Sequence, residues 1–178
     1  MNIDTLSKQG RGQIHTGLAG IDSAKLKAMR NTSLRECFGR MSDISCRLET
    51  VARIRGQEFV NDAASRNVNS TWYSLESLEG NIIWIACADN VSDYNRLQQS
   101  VKRKVFKIFA TGNTSRLRQA LAPTGVSIED CSSLKEAVGR AHYCECPDTA
   151  KVLFSPATGN GLPTGVLAEE FRYAVNEL

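Results

Sequence analysis

Long apolar segments are absent from this sequence. No window approaches the roughly 18 to 20 consecutive apolar residues that a membrane-spanning helix needs. The beginning of the chain, Met1 to Gly17, also lacks the apolar core of a secretory signal. We therefore expect a chain that does not contact membranes and that resides in the cytoplasm.

A strong charge of either sign is also absent. The formal net charge is +3 over 178 residues, whereas nucleic-acid-binding proteins concentrate far more basic charge on one face. A small basic cluster comprises Arg96, Lys102, Arg103, Lys104 and Lys107. We interpret this cluster as a solvated turn between a helix and a strand, with phosphate or nucleic-acid binding as the alternative. No nucleic-acid partner is expected.

Histidine is scarce, which limits the catalytic and metal chemistry of the chain. With only two histidines, no motif supports a Ser-His-Asp or Cys-His nucleophile. His142, Cys144 and Cys146 offer three metal ligands, and Cys131 or Cys37 offers a fourth. Structural zinc normally uses four ligands at looser spacing, so we interpret this group as a helix end and a loop that happen to carry thiols. We predict no metal site, and we expect the six cysteines to be reduced.

A phosphate-binding loop of the Gly-x-x-Gly-Lys-Thr type is absent from the sequence as well. Phosphoryl transfer depends on the positioning and charge neutralisation that such a loop and Mg²⁺ provide. We therefore do not expect this chain to carry out a complete ATP-dependent reaction alone.

The sequence does contain a regular succession of strand and helix patterns from Cys46 onward. Strands are indicated by alternating or short continuous apolar runs, and helices by apolar residues three or four positions apart. We predict strands over residues 48–54, 58–60, 81–88, 105–110, 126–128 and 151–154. We predict helices over residues 68–78, 93–101, 115–121, 132–143 and 166–176. Ser132 and Ser133 are N-cap candidates for the fourth of these helices, with Glu136 in the position of a capping box.

This order of elements predicts an α/β fold. Strands that alternate with helices form a parallel sheet covered on both faces. Right-handed crossovers then give a Rossmann-like, doubly wound sheet of about six strands, mostly parallel with one antiparallel strand pair at the start. We assign residues 41–178 to this domain. Residues 1–40 are expected to form an extension that is partly flexible, with one or two helices between Ile21 and Phe38.

Several segments resemble the C-terminal domain of the Mur ligases, the ATP-dependent enzymes that add amino acids to peptidoglycan precursors. Cys46-Arg47 precedes the first strand, and the second strand leads into Asn61-Asp62 and Asn67. The strand and turn IIWIACADNVSDYNRL, the helix SSLKEAVGRAH and the strand end VLFSPATGN follow in the order of the family. The D-glutamate-adding branch is the most similar. The resemblance extends from around Phe38 to the C-terminus.

The resemblance also implies where ligands bind. In an open parallel sheet, ligands lie beyond the carboxyl ends of the strands. These positions are occupied by Asn61, Asp62, Ala88, Asp89, Thr111, Ser155 and Thr158. By resemblance, the residues that face the nucleotide are Arg47, Asn61, Asp62 and Asn67, and those that face the incoming amino acid are Ser155 and Thr158. The alternative is a structural role for each, in which Asn61-Asp62 caps a turn, Ser155-Pro156 ends a strand and Arg47 forms a salt bridge.

Some charged residues of the family are replaced in this chain. In the family's Asn-Asp-Ser-Lys turn, the serine and lysine positions are occupied here by Ala63 and Ala64. In its Gly-Gly-x-x-Lys turn, the lysine position is occupied by Val91. Cys46 stands in place of the family's histidine, directly before Arg47. Arg66 restores one positive charge close to the first turn. We therefore predict no catalytic residue in this chain.

Two functional hypotheses follow from the resemblance. The first is a stand-alone C-terminal-like domain that is not catalytic alone and acts as a binding or interaction module, with weak affinity for a nucleotide or an acidic amino acid. The alternative is a component of an ATP-dependent acid–amino-acid ligase that acts with a separate ATPase domain. Only in that case are ATP and Mg²⁺ cofactors, and the protein partner then supplies the phosphate loop. A third hypothesis is a Rossmann-like sheet that binds an unrelated ligand.

Overall fold

A six-stranded sheet runs through the part of the chain that the computed structural model describes, residues 46–146 and 150–178. The strands lie in the order β1-β2-β6-β3-β4-β5. β1 and β2 form an antiparallel hairpin, and all other neighbouring pairs are parallel. The predicted flexible extension and the predicted helices between Ile21 and Phe38 lie outside the described residues.

The strands match the predicted apolar segments closely. Their bounds are β1 Glu49–Ile54, β2 Gln57–Asn61, β3 Ile82–Ala88, β4 Val105–Gly112, β5 Ser127–Asp130 and β6 Lys151–Phe154. Arg55 and Gly56 form the turn of the first hairpin and both have positive φ, at 49° and 83°. Glycine adopts this left-handed conformation at little cost, which favours the tight connection.

Five α-helices connect or follow these strands. They are α1 Val68–Ser77, α2 Gln98–Lys104, α3 Ser115–Leu121, α4 Leu134–His142 and α5 Thr164–Asn176. The helix predicted over residues 93–101 begins instead as a 3₁₀ turn, Tyr94–Leu97, and continues as α2 to Lys104. Asp93 caps the 3₁₀ turn by accepting a hydrogen bond from the Asn95 amide at 3.3 Å. None of the helices in the described ranges is both long enough and apolar enough to cross a membrane.

Side chains cap two of the helices at their N-termini. Asn67 accepts a hydrogen bond from the Ser70 amide at 2.9 Å and so begins α1. Ser133 accepts one from the Glu136 amide at 3.1 Å, and Glu136 in turn accepts one from the Ser132 amide at 2.7 Å. This arrangement confirms the predicted cap of α4, and such caps typically stabilise a helix by about 1 kcal/mol.

The basic cluster extends from the 3₁₀ turn through α2 into β4, and most of its members have structural partners. Arg96 contacts Asp93 and Asn69, and Lys107 pairs with Glu129. The Lys104 ammonium group donates hydrogen bonds to the carbonyl oxygens of Leu75, Glu76 and Leu78, at 3.0, 2.7 and 2.8 Å. Arg103 forms an ion pair with the Glu76 carboxylate. Lys104 therefore satisfies carbonyl groups at the C-terminal end of α1, which have no partners within the helix.

The apolar core forms two layers, one on each face of the sheet. In β6, Val152 and Phe154 point into the layer formed with α4 and α5. Leu153 points into the opposite layer, formed with α1, α2 and α3. All three side chains are completely buried, as expected for a parallel strand in the interior of a sheet. Complete burial of one such side chain stabilises the fold by roughly 1.5–3 kcal/mol.

The position of β6 creates a point where the direction of strand order reverses. From β3 the chain proceeds through β4 to β5 on one side, and then returns to place β6 between β2 and β3. The loops that follow β3 and β6 consequently diverge at the carboxyl end of the sheet. In open α/β sheets, the crevice at such a switch point is where ligands bind.

Candidate functional site

Asp89 lies at the centre of the switch-point crevice, directly after β3. One carboxylate oxygen, Oδ1, accepts hydrogen bonds from the amides of Val91 at 3.0 Å and Ser92 at 2.7 Å. The other, Oδ2, accepts one from the Ser92 hydroxyl at 2.9 Å and one from the Asn160 side-chain amide at 3.3 Å. The hydroxyl group of Thr158 donates to Oδ2 as well. The carboxylate is therefore surrounded by donors from the loops after β3 and β6.

These donors stabilise the ionised form of Asp89. Burial alone raises its pKa, but the hydrogen bonds from Thr158, Ser92 and Val91 outweigh that effect and bring the pKa to about 2. The adjacent Tyr94 hydroxyl accepts a hydrogen bond from the Asp89 amide at 2.9 Å. Burial, with a smaller contribution from the Asp89 charge, raises the pKa of Tyr94. Asp89 therefore serves as a permanently charged acceptor around neutral pH.

Arg66 binds the other side of the loop that follows β6. Its guanidinium group donates to the carbonyl oxygens of Gly159 at 3.0 Å and Asn160 at 3.2 Å, and also to that of Leu162. The single positive charge that the sequence offers near Ala64 is thus directed at backbone carbonyls of the same chain.

Asp62 lies below this surface and is completely buried at the end of β2. Its amide donates to the Phe154 carbonyl at 2.8 Å, which joins the ends of β2 and β6. Burial raises the pKa of Asp62, while the nearby hydroxyl groups of Ser65 and Ser74 and the positive charge of Arg47 act in the opposite direction. Within residues 46–146 and 150–178, the Oδ2 atom of Asp62 has no hydrogen-bond partner. A ligand could contact this oxygen atom only by entering the protein interior.

Ser155 is also completely buried, at the end of β6. Its hydroxyl group pairs with that of Thr71 at 2.9 Å. Its carbonyl oxygen accepts a hydrogen bond from the indole nitrogen of Trp84 at 2.8 Å. The Ser155 hydroxyl is therefore already engaged inside the fold.

The other sequence-predicted site residues lie around Asp62 and Ser155. Arg47 is buried, with its guanidinium group 5.6 Å from the centre of the Tyr73 ring. Asn61 accepts a hydrogen bond from the Ala63 amide at 3.2 Å, the turn geometry expected for its structural role. Asn67 is exposed and caps α1. The assignment of these residues to a nucleotide or to an amino acid remains a prediction.

The structure thus places the six predicted residues at three locations. Arg47, Asn61, Asp62 and Ser155 are buried beneath the carboxyl edge of the sheet. Thr158 is buried against Asp89 in the crevice, and Asn67 is exposed at the start of α1. Asp89 is among the strand-end positions where the sequence predicts ligands, but the resemblance assigns it to neither the nucleotide nor the amino acid. Arg66 is expected only as a substitute charge. The signal for Asp89 is its position directly after a buried strand beside the switch point. No local signal connects it to residues 158–160.

Burial favours the protonated form of three thiols among the described residues. Cys87, Cys131 and Cys144 are free thiols whose pKa values are raised by burial, which disfavours the reactive thiolate. The parts of the chain that the structure describes hold no group of three His, Cys, Asp or Glu side chains arranged for a metal ion. His142 instead pairs through Nδ1 with the Gln57 side-chain oxygen at 3.1 Å.

A polar cleft of about 490 Å³ adjoins the loop after β3. Ser92, Tyr94, Gln98 and Arg116 are among its lining residues. Arg116 donates to the Val91 carbonyl at 3.1 Å, which fixes one wall of the cleft. Val91, at the position of the family's second lysine, is 65% exposed and presents only an apolar side chain to solvent.

Known proteins resemble this chain over most of its length. It is 32% identical to the UDP-N-acetylmuramoylalanine–D-glutamate ligase of Porphyromonas gingivalis over 159 residues, which cover 88% of this chain and 35% of that protein. It is 30% identical to the protein of the same name from Salinibacter ruber over 159 residues, covering 88% of this chain and 34% of that protein. The chain spans about a third of the length of the curated relatives it matches. No protein-family model matches it.

A solved structure shares the fold. A domain assigned to a UDP-N-acetylmuramate:L-alanyl-γ-D-glutamyl-meso-diaminopimelate ligase from Haemophilus ducreyi superposes with a TM-score of 0.51 at 13% identity. The match covers 72% of this chain and 99% of that domain. The predicted α/β fold is confirmed, with six strands and one antiparallel pair. The resemblance to the D-glutamate-adding branch is confirmed by the curated relatives.

Proposed function

Because this chain is homologous to the C-terminal domain of the Mur ligases, we propose that it is a ligase-associated binding or interaction module that is not catalytic alone. This proposal rests mainly on the hydrogen bonds that charged side chains make at the switch-point crevice. Asp89 and Arg66, the charged side chains that border it, hydrogen-bond to residues 158–162 of the same chain. Groups that would otherwise hold reactants are therefore already paired.

The replacement of two lysines supports the same proposal. Lysine holds phosphate groups as a compact positive charge, and the family's two lysine positions are Ala64 and Val91 in this chain. The nearby guanidinium group of Arg66 does not take over this role, because it is bound to backbone carbonyls. A phosphate group at this edge would lack the cations that normally neutralise it.

The burial of the predicted nucleotide-facing residues points to low affinity. Asn61 and Asp62 are completely buried, and Arg47 is nearly so. A nucleotide that used them would first have to displace neighbouring groups, and its observed affinity would be reduced by that conformational cost. We propose weak nucleotide or acidic amino-acid binding in a cytoplasmic setting, in keeping with relatives that are named as ligases of a UDP-linked precursor.

Calorimetry and thermal unfolding with ADP, ATP–Mg²⁺ and D-glutamate test this proposal. We expect dissociation constants of about 1 mM or weaker, so that about 10 mM ligand stabilises the fold by at most about 1.5 kcal/mol. Ala64→Lys should strengthen ADP binding about fivefold, because it restores a positive charge for the phosphates. Ala64→Met, of similar length but uncharged, is the control. Micromolar binding by the unmodified chain, or release of ADP from ATP by the chain alone, would contradict the proposal.

The second candidate function is that of a ligase component that acts with a separate ATPase domain. The named activity of the curated relatives, matched over 88% of this chain, favours it. In this case ADP release should appear only when the chain is mixed with a phosphate-loop partner, and Asp62→Asn should reduce it. Unchanged ADP release by the partner with and without the chain would exclude this function for that partner.

A further inference from the structure

Residues 158–162, here called the latch segment, cover the switch-point crevice. Two of their side chains, Thr158 and Asn160, donate to the Asp89 carboxylate. Three of their backbone carbonyls accept hydrogen bonds from Arg66. The segment thus supplies donors to the acidic side of the crevice and acceptors to the basic side.

This pattern is what a bound ligand would provide. Asp89 is only 8% exposed, and Thr158 and Asn160 of the latch segment contact its carboxylate. A competing molecule would need donor groups for Asp89 and acceptor groups for Arg66, placed side by side. The segment therefore occupies the place where open α/β sheets bind ligands.

The segment is held mainly by these polar contacts. Leu162 is 49% exposed, and residues 159–163 are all exposed. Gly159 and Gly161 flank Asn160, and Gly161 has a φ of 90°, a conformation that glycine adopts freely. On the N-terminal side, the chain is fixed at Ala157, whose amide donates to the Ser65 carbonyl at 3.1 Å. Exposed segments with few apolar contacts open locally at lower free energy than the whole fold.

We propose that residues 158–162 form a latch that closes the crevice, with Arg66 and Asp89 as the two groups that hold it shut. Opening the latch releases both charged side chains at once and leaves β3 and β6 in place. This role of residues 158–162 depends only on the contacts described above. It does not require that the chain binds a nucleotide or an amino acid.

Hydrogen exchange measured by mass spectrometry tests the latch in the full chain. Arg66→Met keeps the length of the side chain and removes its donors, so exchange in peptides covering residues 157–162 should accelerate roughly tenfold or more, as expected for loss of charge-assisted hydrogen bonds. Exchange in β3 and β6 should stay unchanged. Arg116→Met is the matched control, since Arg116 donates to a carbonyl outside the latch.

Thr158→Val provides a second variant, because it removes the hydroxyl group that donates to Asp89. The same hydroxyl accepts a hydrogen bond from the Asn160 amide at 3.0 Å, so protease cleavage is the decisive readout for this variant. It should accelerate exchange in the same peptides. Proteinase K should also cleave within residues 158–163 faster in both variants than in the unmodified chain. Equal exchange at residues 157–162 in the unmodified chain and both variants would overturn the latch. So would an acceleration spread evenly over the whole sheet, which would indicate general destabilisation.

Discussion

Asp89 and Asp62, which follow β3 and β2 on the two sides of β6, show how two aspartates at strand ends acquire opposite properties. Asp89 is surrounded by donors and has a lowered pKa, whereas burial raises the pKa of Asp62. The difference arises from hydrogen bonds to the ionised form, which Asp89 receives from two loops. Asp89 therefore contributes to stability as a charge, and this contribution depends on pH.

The acid stability of the fold should depend on Asp89. Its pKa in the fold is about 2, below the ordinary value of 3.8. The stabilisation is therefore fully present above about pH 4 and is lost as the pH falls through about 2. Asp89→Asn should lower the free energy of unfolding by about 2 kcal/mol at neutral pH. The variant and the unmodified chain should converge in stability as the pH falls to about 2.

Urea unfolding monitored by tryptophan fluorescence from pH 7 to pH 2 measures this difference. Asp93→Asn is the control, because Asp93 is exposed and its replacement should change stability much less. A constant difference between Asp89→Asn and the unmodified chain across this pH range would show that charge is not the cause.

At the scale of elements, single residues hold the junctions between helices and strands. Lys104 ends α2 and binds carbonyl groups at the end of α1. Gly112 ends β4 with a φ of 82°, and a Cβ atom built on it would lie 2.5 Å from the Ala88 carbonyl oxygen. These residues fix the distance between elements that are far apart in sequence.

Replacing Lys104 should loosen the junction between α1 and α2. Lys104→Met keeps the aliphatic part of the side chain but removes the donor for three carbonyl groups. We expect the free energy of unfolding to fall by about 1–3 kcal/mol, the range for hydrogen bonds from charged groups. Lys102→Met, on the exposed face of the same helix, should change it by less than about 0.5 kcal/mol. Chemical denaturation of both variants measures the difference, and equal effects would rule out the role of Lys104.

Gly112→Ala should be more harmful than the same change at Gly125. Both glycines have positive φ, at 82° and 73°, so each alanine variant loses about 1–2 kcal/mol from the left-handed backbone. Only at Gly112 would the added Cβ atom collide with a backbone atom, since nothing lies within 4 Å at Gly125. We expect a total loss of about 3 kcal/mol or more for Gly112→Ala. Thermal unfolding of the pair tests this, and similar melting temperatures would contradict it.

Local patterns were sufficient to predict most of these elements. The helix over residues 115–121 and the strand over residues 151–154 have the predicted bounds. Periodicity failed mainly at Tyr94–Leu97, where it does not distinguish a 3₁₀ turn from an α-helix. The role of Lys104 was also missed, because its three carbonyl partners lie 26 to 29 residues earlier in the chain.

At the scale of the whole described region, two core layers share one sheet. Adjacent residues of β6 contribute to opposite layers, so a mutation that weakens either layer removes packing contacts from the same strand. The candidate site depends on the same topology. The hydrogen bond between Thr158 and Asp89 joins residues 69 positions apart, and it exists because β6 inserts beside β3. Strand order is decided by the packing of all elements together. Residue patterns therefore indicated where the strands end, but they did not indicate which side chains pair across the crevice.

Truncation of either layer should weaken a single cooperative transition. Leu153→Ala and Phe154→Ala should reduce the free energy of unfolding by about 2–5 and 3–5 kcal/mol, respectively. Val166→Ala is the control, because Val166 is 49% exposed on α5. Unfolding curves from circular dichroism and from tryptophan fluorescence should coincide for each variant. A separate early transition in Phe154→Ala, with the Trp84 environment unchanged, would show that the layers unfold independently.

The central position of β6 also constrains the order of events during synthesis. Until residues 151–154 have left the ribosome, β2 lacks its parallel neighbour and β3 lacks the partner on one side. The nascent chain therefore has two unpaired strand edges, one on β2 and one on β3, between which β6 later inserts. Such edges are prone to pair with other chains. Completion of the sheet must wait for a strand of four residues, Lys151–Phe154, and we therefore expect this long-range pairing to be the slow step of folding.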